Sequence, residues 1–318
     1  MFDAITIGSA TVDVFADISK GLKEVKPGDK VLVTELKFET GGGGVNSAAA
    51  LSRLGLKTAF LGKLGHDHNA FKILHELKKE KVEIIKTKPS DKRTSYSFIL
   101  ESKKDKDRVI YTYKGASDDL LINEINLDAL NTKWIYMATM LGKSFKTCER
   151  IADFAKKKGI KLLFNPSSYL AAQGRNKLKK ILDAASVLVL NKSEAKLLLN
   201  TENNSIPYLL KSLWKLGPDI VVVTEGSRGM HAYDGKLSYF MEAYSVKVVS
   251  VAGAGDAFSS GFLAGIIKKA DISHALELGM ANAASVIQYY GTKNRLLSYK
   301  EALQFVKKHR KKIIKKKL

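Results

Sequence analysis

The stretch S-V-A-G-A-G-D-A-F at residues 250–258 places a glycine turn directly before a helical pattern. Gly253 and Gly255 allow the backbone to turn sharply and to approach a ligand without a Cβ in the way. The first N–H groups of a helix are free, and the helix dipole adds positive potential there, so such a turn can bind an anion. Asp256 lies beside the turn as a candidate base. A purely structural glycine turn is the alternative that the local sequence leaves open.

Outside this stretch, short apolar segments alternate with helical patterns along most of the 318 residues. Apolar strands that alternate with helices indicate a parallel sheet covered by helices on both faces. We therefore predict an α/β fold of three layers with a doubly wound, mostly parallel sheet. Its strands are predicted at residues 4–8, 58–61, 134–137, 162–164, 187–190 and 220–223.

Two further segments alternate between apolar and polar residues, as half-exposed strands do. The second of them contains two strands on either side of the charged tip 103–107, which is typical of a hairpin. Because such strands do not fit a buried parallel sheet, we predict a small β-sheet lid inserted in two pieces. The lid would comprise residues 11–39 and 93–114, and the α/β body residues 1–10, 40–92 and 115–318.

Two helices are predicted early in the chain from their apolar spacing. The first covers residues 48–54 and follows a run of four glycines. The second covers residues 69–79, with Phe71, Leu74 and Leu77 expected to face the core.

The chain is strongly basic, with 53 Lys and Arg residues against 32 Asp and Glu and a formal net charge of +21. Basic surfaces attract nucleic-acid backbones, but no RNA-recognition signature or zinc finger accompanies these charges. Much of the excess lies in residues 307–317, which we interpret as a solvated helix end whose cations suit the helix dipole. We therefore expect no nucleic-acid partner.

A single cysteine, Cys148, excludes an intrachain disulfide framework and a cysteine-rich zinc site. Its helical surroundings favour a packing role. The first residues lack the basic and apolar regions of a signal peptide, and no apolar run reaches the length that crosses a bilayer. We expect a cytoplasmic protein without a membrane segment.

Several common catalytic motifs are incomplete in this sequence. A Walker P-loop ending at residues 142–144 would need glycine where Met137 stands, and the dinucleotide fingerprint would need glycine where Phe258 stands. His66 and His68 lack a third clustered metal ligand. The chain also lacks the G-x-S-x-G elbow of hydrolases.

Glycine-rich and polar turns are expected at the carboxyl ends of several strands, where open α/β sheets bind ligands. Together they would place polar chemistry on one edge of the sheet. These turns are residues 41–44, Asn191 with Glu194, residues 224–229 and residues 253–256.

Four of these segments carry a resemblance to a known family. The turn G-A-G-D-A-F at 253–258 resembles the C-terminal signature of the ribokinase (PfkB) family of sugar and nucleoside kinases, and G-G-G-G-V-N at 41–46 resembles its N-terminal signature. N-K-S-E at 191–194 and T-E-G-S-R-G at 224–229 are similar to the family's N-x-x-E and T-x-G-x-x-G motifs. The resemblance covers the chain except its basic end and implies a ribokinase-like fold.

The resemblance implies ATP-dependent, Mg²⁺-requiring phosphorylation of a primary hydroxyl on a sugar or nucleoside. Asp256 would take the proton from the acceptor, and the helix dipole is expected to keep this carboxylate ionised. The turn of Gly253, Ala254 and Gly255 would form the anion hole.

The resemblance also implies the binding residues. Glu194 would act on Mg²⁺ through water, together with Asn191. The remaining nucleotide contacts would come from Thr224, Gly226, Gly229 and Asn282, and the acceptor contacts from Asp13, Gly42, Gly43 and Asn46.

Two departures from the family pattern bear on specificity. Ser250 and Val251 stand where the family usually has Asp and Thr, so we expect weak or absent activation by potassium. Gly43 stands where ribokinases proper often have lysine, which makes ribose one candidate acceptor among several.

The acceptor therefore stays open between a nucleoside, a sugar and a sugar phosphate. Arg93 and Lys114 are the candidate cations for a sugar phosphate. Phe98, Tyr111 and Tyr113 could stack on a nucleobase or form the core of the lid. A homodimer through the lid also stays open, as do two other classes of function: a non-catalytic nucleic-acid-binding protein on a kinase fold, and an oligomeric scaffold.

Overall fold

Two β-sheets organise the residues that the computed structural model describes, which are 1–102, 104–105 and 107–318. Lys103 and Lys106, at the predicted hairpin tip, lie outside the described residues. The strands are β1 (Phe2–Ile7), β2 (Thr11–Ile18), β3 (Val33–Gly41), β4 (Thr58–Leu61), β5 (Glu83–Ile84), β6 (Ser95–Ser102), β7 (Asp107–Tyr113), β8 (Thr132–Ala138), β9 (Lys161–Asn165), β10 (Val187–Asn191), β11 (Ile220–Thr224), β12 (Met230–Tyr233), β13 (Leu237–Met241) and β14 (Ile313–Lys317).

The larger sheet has the strand order β14-β13-β12-β11-β10-β9-β8-β1-β4-β5. Its strands pair in parallel from β5 to β11, and β12, β13 and β14 add an antiparallel edge. Helices cover both of its faces, which confirms the predicted three-layer, mostly parallel α/β fold. The helices are α1 (Gly43–Arg53), α2 (His68–Lys79), α3 (Gly142–Lys158), α4 (Ser168–Ala171), α5 (Gly174–Leu182), α6 (Lys192–Leu199), α7 (Ile206–Trp214), α8 (Ala254–Lys269), α9 (Ile272–Val286) and α10 (Tyr299–His309).

Strand β10 shows why the central strands are continuously apolar. Leu188 and Leu190 join the core under α3, α5, α6 and α7, whereas Val187 and Val189 join the core under α1, α8 and α9. Alternate side chains therefore enter different buried layers, and neither face faces water. The strand ends at Asn191, which pairs in register with Thr224 at the end of β11, so two polar residues meet at one sheet edge.

The smaller sheet has the order β3-β2-β6-β7 and contains the strands predicted for the lid. The predicted hairpin is confirmed, because β6 and β7 pair antiparallel. The expectation of a half-exposed first strand is wrong: β2 is central and buried on both faces. Val12 packs on one side with Ile73 and Leu77 of α2, and Asp13 lies on the other side at 7% exposure. The domain boundaries stay a prediction.

Both early helices differ from prediction in detail. Helix α1 begins at Gly43, because the glycine run itself forms its first turn. Helix α2 buries Ala70, Ile73 and Leu77, whereas Phe71 is 66% exposed and stacks on His75. The inward position of Phe71 is therefore wrong, since a rotation of about 100° per residue turns it off the buried stripe.

The basic C-terminal run is a helix end only over Lys307, Lys308 and His309, which form the last turn of α10, and the prediction is wrong for the rest of the run. Helix α10 ends at His309, and β14 then pairs antiparallel with β13 at the edge of the large sheet. Ile313 packs against the core, and the lysines of this strand are exposed. Ile313 and Ile314 interrupt the charges in the sequence, and the Ile314 side chain is 48% exposed.

Cys148 is buried in α3 within the hydrophobic core, which confirms its packing role. Among the residues described, no helix combines the length and the hydropathy that a bilayer-spanning segment requires.

Candidate active site

A cavity of about 440 Å³ lies between the smaller sheet and one edge of the larger sheet. It brings together most of the residues predicted for a site, although they are scattered through the sequence. These are Gly42, Gly43, Asn46, Asn191, Glu194, Thr224, Gly253, Gly255 and Asp256. Asp13, Ala254, Gly226, Gly229 and Asn282 are not part of its lining.

The turn at 253–256 forms the N-terminus of α8. Gly253 is the N-cap in the left-handed conformation, with φ 77°, and its carbonyl accepts the N–H of Ala257 at 2.9 Å. A Cβ on Gly253 would clash with the backbone carbonyl of Thr292, so glycine is required here on two grounds. The N–H groups of Gly255 and Asp256 have no acceptor among the described residues, whereas the N–H of Ala254 donates to the Val251 carbonyl at 3.3 Å.

Two of the four turns that were predicted at the ends of parallel strands lie elsewhere in the structure. The turn at 253–256 follows an irregular segment, and the turn at 41–44 follows β3 of the smaller sheet. The expectation that both would end strands of the parallel sheet is therefore wrong. Helix α8 instead reaches the cavity because it packs tightly on α9, where Gly261 and Gly265 leave room for the neighbouring backbone.

Asp256 is held by a short chain of hydrogen bonds. Asn46 of α1 donates through Nδ2 to Asp256 Oδ2 at 2.8 Å, and Asn46 Oδ1 accepts the Thr292 hydroxyl at 3.0 Å. Burial raises the pKa of the Asp256 carboxyl, while the hydrogen bond from Asn46 and the charge of Lys293 lower it. The net direction is upward, contrary to the expectation that the helix N-terminus decides its ionisation. A raised pKa makes the carboxylate a better proton acceptor.

Lys293 is the main buried cation behind this site, and sequence reasoning did not identify it. It is 6% exposed, forms an ion pair with Glu76 of α2 at 3.1 Å and donates to the Thr40 hydroxyl at 2.9 Å. It thereby ties the end of β3 to α2 and to the loop that carries Thr292. This loop carries no motif, so the sequence alone offered no signal for it.

The lid contributes a polar wall to the cavity. Ser95 and Ser97 of β6 face it together with Thr112 of β7, because Ser97 and Thr112 are cross-strand partners. Asp13 lies beside this wall, and burial raises the pKa of its carboxyl, against hydrogen bonds from Ser97 and Thr11. Gly41 leaves room for that carboxylate, since a Cβ on Gly41 would clash with it.

The aromatic residues of β6 and β7 lie on the other face of the lid. Tyr96 pairs with Tyr113 and Phe98 with Tyr111, so their side chains point away from Ser97 and Thr112. Tyr111 is 63% exposed and Tyr113 is 50% exposed. They neither form a lid core nor reach the cavity, and both earlier interpretations of these two tyrosines are wrong.

Asn191 and Glu194 form a reciprocal capping box at the start of α6. Glu194 N–H donates to Asn191 Oδ1, and Asn191 N–H donates to Glu194 Oε2, both at 2.9 Å. This cap alone would explain the N-x-x-E spacing. Because both residues also line the cavity beside Thr224, they are placed to do more than cap a helix.

The fit of a magnesium ion rests on the carboxylates at this end. No group of three His, Cys, Asp or Glu side chains is arranged for a metal in the described part of the chain. Mg²⁺ is commonly held by one or two carboxylates together with water and substrate phosphates. Burial raises the pKa of Glu194, and the charge of Asp256 raises it further. A cation nearby would relieve this repulsion, so the donor set fits a water-mediated Mg²⁺.

The two glycines predicted to contact the nucleotide, Gly226 and Gly229, lie in different surroundings. Gly226 has φ 60° and borders an open groove next to Asn191 and Thr224. Gly229 has φ 112°, and a Cβ there would clash with the Met241 carbonyl.

Asn282 is fully buried and lies away from the cavity lining. Its Nδ2 donates to the Ala257 carbonyl at 3.0 Å and its Oδ1 accepts the Leu297 N–H at 3.0 Å. Both ends of the amide are hydrogen-bonded to backbone groups, so Asn282 fixes the first turn of α8 and does not reach the nucleotide end of the cavity.

The fold and the site together define a class of protein. A doubly wound body with a β lid, and a carboxylate at a glycine-bounded helix N-terminus, are features of a phosphotransferase that acts on an alcohol. The chain matches the pfkB family of carbohydrate kinases over residues 1–298. It belongs to this family.

Three similar proteins illustrate the range of the family. An uncharacterized sugar kinase of Archaeoglobus fulgidus is 29% identical over 251 residues, which cover 77% of this chain and 97% of the relative. The nucleoside kinase of Methanocaldococcus jannaschii superposes with a TM-score of 0.81 at 23% identity, covering 96% of this chain and 99% of that one. Arabidopsis thaliana ribokinase complexed with ribose and ATP superposes with a TM-score of 0.84 at 21% identity, covering 96% of this chain and 99% of that one. At these identities the two structures support the fold alone.

Proposed function

We propose that this kinase transfers the γ-phosphoryl group of ATP to a primary hydroxyl of a sugar or nucleoside bound in the cavity. The observation that carries the proposal is the Asp256 carboxylate, oriented by Asn46 at the glycine-bounded N-terminus of α8. Membership of the pfkB family of carbohydrate kinases supports the same reaction.

In the proposed mechanism, Asp256 accepts the proton of the acceptor hydroxyl, while the oxygen of that hydroxyl forms a bond to the γ-phosphorus. The bond from that phosphorus to the ADP oxygen breaks, and ADP leaves with the electron pair. Phosphoryl transfer asks the protein mainly for positioning and for stabilisation of the charge on the phosphoryl oxygens. The N–H groups of Gly255 and Asp256, which have no acceptor in the described part of the chain, would supply that stabilisation, with Gly253 fixing the turn.

The binding residues divide along the cavity. Asn191, Glu194 and Thr224 would hold the nucleotide end, with Glu194 acting on Mg²⁺ through water and Gly226 bordering the adjoining groove. A bound Mg²⁺ would neutralise phosphate charge. At the other end, Gly42, Gly43 and Asn46 line the cavity near Asp13, and would contact the acceptor.

A coupled assay of ADP release over a panel of sugars, nucleosides and their acids tests this proposal. At least one acceptor should give turnover that requires Mg²⁺ and ATP. Release of ADP with none of them would contradict the proposal and favour a scaffold. Tight binding of the chain to nucleic acid in a filter assay, without turnover, would instead favour the nucleic-acid alternative. Because ATP and such acceptors are cytoplasmic metabolites, we place the enzyme in the cytoplasm.

The outer face of the lid would serve as a homodimer interface. It exposes Leu36, Phe38, Tyr111 and Tyr113, each at 50% or more. Exposed apolar side chains that share one face of a sheet commonly mark contact surfaces. We expect a dimer by size-exclusion chromatography with light scattering and a shift toward monomer for Tyr111→Lys; a monomeric wild-type chain would contradict this interface.

The charge of Lys293 should set the acidic limit of activity. Because it lowers the pKa of Asp256, Lys293→Met should raise that pKa and move the acidic limb of the kcat/KM profile to higher pH. Glu76→Gln is the matched control, since it removes the ion-pair partner but keeps the ammonium group. The limb should not move upward in that variant. Coincident acidic limbs for wild type and Lys293→Met, measured on folded protein, would contradict the assignment of Asp256 as the base.

A further inference from the structure

Lys114 is a cation of the cavity wall, and none of the described residues forms an ion pair with it. It follows β7 directly, lines the cavity and is half-buried. Its ammonium group makes no ion pair and no hydrogen bond to the described part of the chain, and Nζ lies over the ring of Tyr169 at 5.1 Å from the centroid. By contrast, Arg93, the other candidate cation, is exposed and does not line the cavity.

The protein leaves this ammonium group poorly compensated. Desolvation lowers the pKa of Lys114, and the charges of Asp118 and Asp13 oppose that shift from beyond ion-pair distance. Both carboxylates have partners elsewhere: Asp13 bonds with Ser97 and Thr11, and Asp118 with the backbone of Leu141. A partly desolvated cation with unfilled donor capacity is stabilised by an incoming anion.

The groups around Lys114 suit a polar ligand better than a nucleobase. Ser95, Ser97 and Thr112 present hydroxyls on the same face of the lid. Tyr169 lines the cavity, but Lys114 already lies over its ring. In the lid, the aromatic side chains of β6 and β7 point to the opposite face, and Phe15 of β2 borders a separate pocket with Asp17 and Tyr290.

We infer that Lys114 binds an anionic group, a carboxylate or a phosphate, carried by the acceptor in addition to the hydroxyl that faces Asp256. The inference rests on the proposed kinase function and narrows its acceptor to acidic polyols. The hydroxyls of Ser97 and Thr112 would contact the uncharged part of the same molecule. The cation–π contact with Tyr169 would hold the ammonium group in place before the acceptor arrives.

The test compares acceptors built on the same carbon skeleton, one of them neutral and two of them carrying an anionic group. Wild-type enzyme is assayed with a neutral sugar, the sugar acid of the same carbon skeleton and the corresponding sugar monophosphate. We expect kcat/KM to be highest for one of the two anions, and the better anion identifies the group that Lys114 binds. Direct titration of the same three compounds without ATP gives the affinities independently of turnover.

Variants of Lys114 assign the preference to this side chain. Lys114→Met should lower kcat/KM for the anionic acceptor by about 10- to 100-fold, mostly through KM, because a charge-assisted hydrogen bond is lost. The neutral acceptor should change by less than about threefold, and Lys114→Arg should retain the anion preference. Arg93→Gln, a charge removal at the exposed neighbour of the same lid segment, should leave all three values unchanged.

The outcomes separate this inference from the proposed function. Turnover with the neutral sugar alone, or equal losses for neutral and anionic acceptors in Lys114→Met, overturns the inference and leaves the kinase function standing. Absence of turnover with every acceptor overturns both.

Discussion

Asp256→Asn is expected to lower kcat by about 10²- to 10⁴-fold while the protein stays folded. The amide has the shape of the carboxylate and can still accept the Asn46 hydrogen bond, but it cannot take up a proton from the acceptor hydroxyl. The KM for the acceptor should change little, because the hydroxyl is still positioned. Steady-state kinetics on the best acceptor of the ADP-release panel would measure this separation.

Although its activity falls, the same variant should be at least as stable as the wild-type protein. Burial raises the pKa of Asp256 in the folded protein, so above that pKa the ionised carboxylate destabilises the fold. Replacing it with a neutral amide should therefore leave the thermal midpoint unchanged or raise it at neutral pH. Asp13→Asn is the matched control, and we expect it to act mainly on KM. Wild-type turnover in Asp256→Asn would overturn the proposed mechanism.

Two alanine substitutions in the glycine turn should separate folding from chemistry. Gly253→Ala places a Cβ in a left-handed residue and against the Thr292 carbonyl, so it should destabilise the protein by at least about 1–2 kcal/mol. Because Thr292 holds Asn46, activity should fall as well. The Cβ of Gly255→Ala meets no atom of the described residues within 4 Å, and the position lies in the first turn of a helix. It should be neutral or stabilising by up to about 1 kcal/mol.

Gly255→Ala should nevertheless lose activity. Its methyl group would enter the space where the phosphoryl group is proposed to lie, and displacement by a methyl's width should lower kcat/KM by about 10²-fold. Denaturant unfolding and kinetics on both variants would show the contrast. Full activity of Gly255→Ala would mean that the phosphoryl group does not approach this turn.

The parts of the molecule that the sequence predicted well are those governed by local periodicity. Strands β10 and β11 are recognisable because both of their faces are buried, which leaves a continuous apolar run ending at Asn191 and Thr224. The turn before α8 is recognisable because its backbone conformation requires glycine at Gly253. In both cases a short segment carries its own physical signal.

The parts that it did not predict depend on how distant segments meet. Alternation along β7 placed Tyr111 and Tyr113 on one face, but nothing local indicated which face meets the cavity. Thr292 and Lys293 contact Asn46 and Thr40 only because the chain returns to the site after α9. A loop without a motif gives no sign of such a role before the tertiary structure is known.

The lysine-rich strand β14 bears on how separate molecules behave toward one another. A sheet's last strand offers unpaired backbone groups on which a second molecule can extend the sheet. Here that row of groups is flanked by Lys315, Lys316 and Lys317, so two copies approaching edge to edge would repel each other. Without these residues, β13, which contains Phe240, would become the exposed edge strand of the sheet. The charge excess that first suggested nucleic acid thus acts, in part, as a guard against aggregation.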